Sequence, residues 1–164
     1  MERLCRWQGG FGGRSFAGMD ALNIIRSTPM PNVPDGFTPH FRKSPVTDPW
    51  EPLYSRRTDE GVIEIGTYLA PPHCNARGMA HGGVIASLAD NAMGLTYAGA
   101  LEQQSGVVTV SLNIDYAATG KLGDWLQITP RLIRSGKNMG FVDALVTADG
   151  AIVARASATF RNLA

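Results

Sequence analysis

The chain has 164 residues, enough for one domain with a sizeable core, and its 44% hydrophobic against 18% charged content reads as a soluble globular protein. A formal net charge of +1 gives no electrostatic case for nucleic acid or an anionic membrane, and no apolar run approaches the roughly 18 residues of a membrane span. Cys5 and Cys74 lie far apart and form no disulfide framework, so reduced thiols in a cytoplasm are the expectation.

Residues 1–18 are Gly-rich with Arg3, Arg6 and Arg14, and no apolar segment follows the charges, so they read as a tail rather than a secretory signal. Asp20–Ser27 reads as a short helix with Asp20 as N-cap. Thr28–Trp50 is rich in proline, Pro31, Pro34, Pro39, Pro45 and Pro49 among them, which predicts an extended arm lying on the domain with Phe37, Phe41 and Trp50 as anchors. Residues 1–49 are thus expected to be tail, short helix and arm, and residues 50–164 the folded domain.

Strands are predicted for Leu53–Arg57 and Val62–Leu69, joined by a turn at Thr58–Gly61. Pro71 and Pro72 end the second strand, and a polar loop carries Asn75 and Gly78 into His81-Gly82-Gly83. From Gly82 a helical pattern runs unbroken to Gly99, with Val84, Ile85, Leu88, Ala92 and Leu95 on one face. Asp90 falls on the opposite side among Gly83, Ala86, Ser87 and Gly94. A solvated helix face normally carries long polar side chains; one of Gly, Ala and Ser around a carboxylate suggests close approach by a substrate or a second subunit. The first N–H groups of a helix lack internal partners, so the Gly82 corner is a ready oxyanion site.

Val107–Tyr116 alternates strictly, with Val108, Val110, Leu112, Ile114 and Tyr116 on one face and Thr109, Ser111, Asn113 and Asp115 on the other. Trp125–Arg134, Met139–Ala148 and Ala151–Arg161 follow as strands, the last two joined by the hairpin signal Asp149-Gly150. One long helix against an antiparallel sheet of about six strands is the economical α+β solution, because the helix's single apolar stripe covers one sheet face.

This element order, together with Asn75-x-x-Gly78-x-x-His81-Gly82-Gly83 and Asp90 beyond it, resembles the hotdog-fold acyl-CoA thioesterases of the phenylacetate-degradation (PaaI-like) type. Val108–Asn113 and Lys121-Leu122-Gly123-Asp124 look like that family's next strand and turn. The resemblance implies hydrolysis of aryl- or fatty-acyl-CoA thioesters in a site shared between subunits of a homodimer or homotetramer. Asn75, His81 and Gly82 would come from one chain, and Asp90 and Thr109 from its neighbour.

The residues themselves give compatible roles. The Gly82 N–H would polarise the thioester carbonyl, and Asp90 would be general base or nucleophile. Thr109 could position water, while Asn75 and His81 shape the loop and Gly83 lines the substrate. Arg134, Lys137 and Arg161 are candidate cations for the CoA phosphates. The resemblance adds Tyr116 and Asn162 as substrate contacts. No cofactor is implied, since CoA is part of the substrate. The spacing of His73, Cys74, His81 and Asp90 matches no familiar zinc pattern, and adjacent His73 and Cys74 seldom point at one another as a nucleophile pair would require. Two alternatives remain open from sequence: a hotdog dehydratase or hydratase using His81 for proton transfer, and a non-catalytic acyl-CoA-binding domain.

Overall fold

The computed structural model describes residues 32–101 and 106–163, so the tail and the short helix expected at Asp20–Ser27 lie outside the described residues. Residues Val33–Ala164 form one compact unit. Its strands are β1 (Thr38–Pro39), β2 (Tyr54–Arg57), β3 (Ile63–Tyr68), β4 (Val107–Tyr116), β5 (Trp125–Ser135), β6 (Met139–Ala148) and β7 (Ala151–Asn162), and its long helix is α1 (Gly82–Gly99). They form one seven-stranded antiparallel sheet in the order β1-β2-β3-β5-β6-β7-β4. The helix packs across β5, β6, β4, β3 and β7. This is the hotdog architecture expected from the sequence, with β1 as an added short strand at one edge. Among the described residues, no helix is long and apolar enough to cross a membrane.

Burial of one helix face against one sheet face builds the core. Val84, Ile85, Leu88, Ala89, Ala92, Met93 and Tyr97 meet Ile65, Leu126, Ile128, Val142, Val146 and Phe160. Full burial of a side chain such as Leu88 is worth about 2 kcal/mol. Leu95, expected in the stripe, is only partly buried, while Thr96 and Tyr97 turn inward. Thr96 accepts the Ile63 N–H through its hydroxyl at 3.0 Å, and that bond fixes the helix's last turns to β3. Tyr97 lies flat on Gly140, where any β-carbon would fall 2.1 Å from its ring, so β6 has no room for a side chain there.

The arm from residue 33 belongs to the same compact unit as the strands. Phe37 is buried edge-on against Trp125, with the Arg56 guanidinium 4.7 Å over its ring. Trp50 is partly buried against the core. Phe41, the third expected anchor, is 64% exposed, its ring 5.0 Å from that of its neighbour His40. Under the arm, buried Glu64 accepts from Arg56 Nε at 2.7 Å, Thr129 at 3.0 Å and Gln127 at 3.3 Å, so its charge is fully partnered.

β4 departs from strict alternation. Its ladder with β7 slips between Thr109 and Ser111, so Val110 is an extra, bulged residue. Val107, Thr109, Leu112, Ile114 and Tyr116 therefore lie opposite Asn162, Phe160, Ala158, Ala156 and Ala154, alternate residues of β7 that share one face. The bulge moves Thr109 to the helix side of the sheet, away from the polar face that the sequence pattern assigned to it. β4 is also an edge strand, and Val108, Val110 and Leu112 are exposed along it.

Candidate active site

The site loop is held at both ends. The Asn75 carboxamide oxygen accepts the N–H groups of Arg77 at 2.9 Å and Met79 at 3.3 Å, folding residues 75–79 into a closed turn. Gly78 sits at φ +73°, a conformation that favours glycine. The Gly120–Asp124 connection braces the turn from outside: Ala80 N–H donates to Gly120, and Leu122 N–H donates to Gly78. Asn75 thus acts inside the loop through its oxygen.

His81 is the N-cap of α1. It has extended φ/ψ of −73° and 131°, and its Nδ1 accepts the Gly83 N–H at 3.0 Å. Val84 and Ile85 donate to the His81 carbonyl. The Gly82 N–H is left with no hydrogen-bond partner among the described residues. It is the donor the sequence singled out, at the positive end of the helix dipole.

Asp90 and Thr109 are brought together, Thr109 Oγ1 donating to Asp90 Oδ1 at 2.7 Å. The other carboxylate oxygen accepts nothing among the described residues. At the far end of β4 the Tyr116 hydroxyl donates to the Gly82 carbonyl at 2.7 Å, so Tyr116 stands at the helix start. Asn162 is engaged elsewhere: its side-chain oxygen accepts the Tyr97 hydroxyl, and its NH2 donates to the Lys137 carbonyl at 2.8 Å. Arg134, Lys137 and Arg161 are exposed and make no ion pair among the described residues. Arg134 and Arg161 lie opposite Phe141 and Met139, on the sheet face away from the helix.

The neighbouring His73 and Cys74 are not reactive groups. His73 is buried, its Nδ1 accepting from Ala70 N–H and its Nε2 donating to the Trp50 carbonyl, each at 2.8 Å. Burial holds its pKa below the ordinary value. Burial likewise pushes the Cys74 thiol up, disfavouring the thiolate a nucleophile needs. The role of Ser87 was missed in the sequence. Its hydroxyl donates to the Gly83 carbonyl at 2.9 Å, and its position four residues after Gly83 was the available signal.

The model of the thioesterase superfamily matches residues 77–154, spanning the loop, the helix and most of the sheet. A Pseudomonas aeruginosa protein named as a candidate esterase, PA0474, is 36% identical over 131 residues, 80% of this chain and 98% of that protein. Human acyl-coenzyme A thioesterase 13 is 35% identical over 85 residues, 51% of this chain and 60% of its own. Among solved structures, the BH2602 protein of Bacillus halodurans, crystallised with CoA, superposes with a TM-score of 0.62 at 31% identity. That match covers 67% of this chain and 73% of that one. By these matches, the chain belongs to the thioesterase superfamily.

Proposed function

We propose that the protein hydrolyses acyl-CoA thioesters in a site shared by two protomers, with Gly82 from one and Asp90 from the other. The observation that carries this reading is the position of two hydrogen bonds on β4. Thr109, near one end, holds Asp90, and Tyr116, at the other end, holds Gly82. Within one chain, Gly82 and Asp90 are eight residues apart on a helix, about 12 Å along its axis, too far to serve one carbonyl. Antiparallel pairing of two β4 edges about their centre, near Leu112 and Asn113, would bring the Thr109–Asp90 end of one protomer beside the Tyr116–Gly82 end of the other. The β4 edge, unpaired among the described residues and exposing Val108, Val110 and Leu112, supports such a two-fold contact.

In this reading the Gly82 N–H holds the thioester oxygen. Asp90, steadied by Thr109 on one oxygen, takes a proton from water with the other. The hydroxide adds to the carbonyl carbon, and the developing oxyanion is stabilised at Gly82. The C–S bond then breaks, and the CoA sulfur receives the proton from Asp90. Arg134, Lys137 and Arg161 supply cations for the CoA phosphates; CoA bound to BH2602 and the name of the human relative support that substrate class. His81 serves as the helix cap, its Nδ1 accepting the Gly83 N–H.

The test is thiol release from a panel of aryl- and fatty-acyl-CoA esters by the wild type and Asp90→Ala. Hydrolysis of at least one ester, lost in the variant, is expected. No hydrolysis by the wild type, or full activity in the variant, sinks the proposal. A single turnover in 18O-water, with hydroxylamine present in a parallel run to trap an anhydride, separates the two roles for Asp90: label in Asp90 or a trapped anhydride means direct attack, and label in the product acid alone with no trapped anhydride means base catalysis.

A further inference from the structure

The geometry points to Tyr116 as a positioning residue for the oxyanion donor, and this rests on the role proposed above for Gly82. Two consecutive glycines begin α1, and glycine has the widest choice of backbone conformations of any residue. The Gly82 N–H shares its peptide plane with the His81 carbonyl, which Val84 and Ile85 hold from inside the helix, but the next plane, Gly82–Gly83, turns against it about a glycine with few steric limits of its own. Here three of the four polar handles of Gly82-Gly83 are tied down by side chains. His81 Nδ1 accepts the Gly83 N–H at 3.0 Å, Ser87 donates to the Gly83 carbonyl at 2.9 Å, and Tyr116 donates to the Gly82 carbonyl at 2.7 Å. The fourth, the Gly82 N–H, has no partner among the described residues.

Of the three ties, only Tyr116 reaches in from outside the helix and its cap. It also packs on the glycine: a β-carbon at Gly82 would lie 3.2 Å from the Tyr116 Cζ and hydroxyl oxygen. The ring therefore restrains Gly82 sterically while its hydroxyl fixes the direction of the carbonyl. Because Tyr116 ends the edge strand β4 that carries Thr109, one strand holds both halves of the chemistry. Tyr116 need not touch the substrate for this. It acts through the Gly82–Gly83 peptide plane and the Gly82 Cα, the hinge between that plane and the one that carries the Gly82 N–H.

The experiment is Tyr116→Phe in the full chain, which keeps the ring and deletes the hydroxyl. With an acyl-CoA ester as substrate, kcat is expected to fall about three- to tenfold, the size of one lost hydrogen bond, with KM within about twofold of wild type. Backbone 15N relaxation supplies a second readout that does not depend on turnover. The order parameters of Gly82 and Gly83 are expected to drop, while those of Leu88 and Ala92 stay put. Unchanged order parameters at Gly82 and Gly83 overturn the positioning role, and so does a rise in KM at constant kcat. Failure of the wild type to hydrolyse any acyl-CoA overturns instead the functional reading, and the relaxation result then still decides whether Tyr116 holds the corner.

Discussion

Gly82→Pro isolates the oxyanion donor with unusually little structural damage. Proline is favoured at the first position of a helix, where its missing N–H leaves no intrahelical bond unmade. Gly82 is that position, and its N–H has no partner among the described residues. The residue before a proline must be extended, and His81 already sits at φ −73°, ψ 131°. The one conflict is with Tyr116, whose ring lies 3.2 Å from the site of a new β-carbon and must yield by a few tenths of an ångström. We expect a fold cost of about 1 kcal/mol, typical of mild overpacking. The loss in kcat should be about 100- to 1000-fold, the measured scale for deleting one oxyanion donor. Gly82→Ala is the control: it brings the same β-carbon and keeps the N–H, so it should retain about a tenth or more of wild-type kcat. Thiol release under saturating acyl-CoA, with thermal melting to verify folding, measures both. A well-folded proline variant within tenfold of wild type would refute the reasoning, as would an alanine variant equally impaired.

Thr109→Val removes the 2.7 Å bond to Asp90 and is expected to lower kcat about tenfold, with Thr109→Ser recovering most of it; equal rates in all three proteins would contradict a role for that bond. The buried rings of His73 and His40 both have pKa values lowered from 6.5, chiefly by burial. At His40 the nearby Arg42 and Lys43 add to the shift, and Glu51 opposes it. A lowered histidine pKa means that the unfolded chain binds more protons, so stability should be complete above about pH 6.5 and fall as pH drops below it. Melting temperatures from pH 7.5 to 5 check this. His40→Leu should flatten the acid slope, because both nitrogens of that ring are buried without partners among the described residues. A melting temperature independent of pH would contradict both assignments.

Much of this was legible in the sequence because local rules and the fold agree. The helix bounds Gly82 and Gly99 follow from the glycines at its start and an unbroken 3.6-residue pattern. The hairpin at Asp149-Gly150 follows from turn chemistry, both residues having positive φ. The β4 bulge was not legible. Val108-Thr109-Val110-Ser111-Leu112 alternates without a flaw, and the slip has no local sequence signal. Thr109, read as positioning water from the polar face of the strand, is turned by the bulge to the helix side, where it bonds Asp90. β1 was missed because two residues ending in proline carry no periodicity. In the helix, Leu95 outranks Thr96 by hydrophobicity, yet Thr96 is the one buried because it satisfies the Ile63 N–H. Asn75, His81, Gly82, Asp90 and Thr109 were singled out from residue type, spacing and the family resemblance. The bonds of Tyr116 and Ser87 to the two glycine carbonyls needed coordinates.

The central claim is that Asp90 of one protomer serves the carbonyl held by Gly82 of another, and subunit complementation tests it most directly. Asp90→Asn and Gly82→Pro, each inactive alone, would be co-expressed in equal amounts. Random pairing makes half of the dimers mixed, and each mixed dimer carries one site with Gly82 and Asp90 both intact. Activity should return to about a quarter of the wild-type level. Purified mixed dimers with no more activity than either parent would contradict the account, because both residues would then have to act from the same chain.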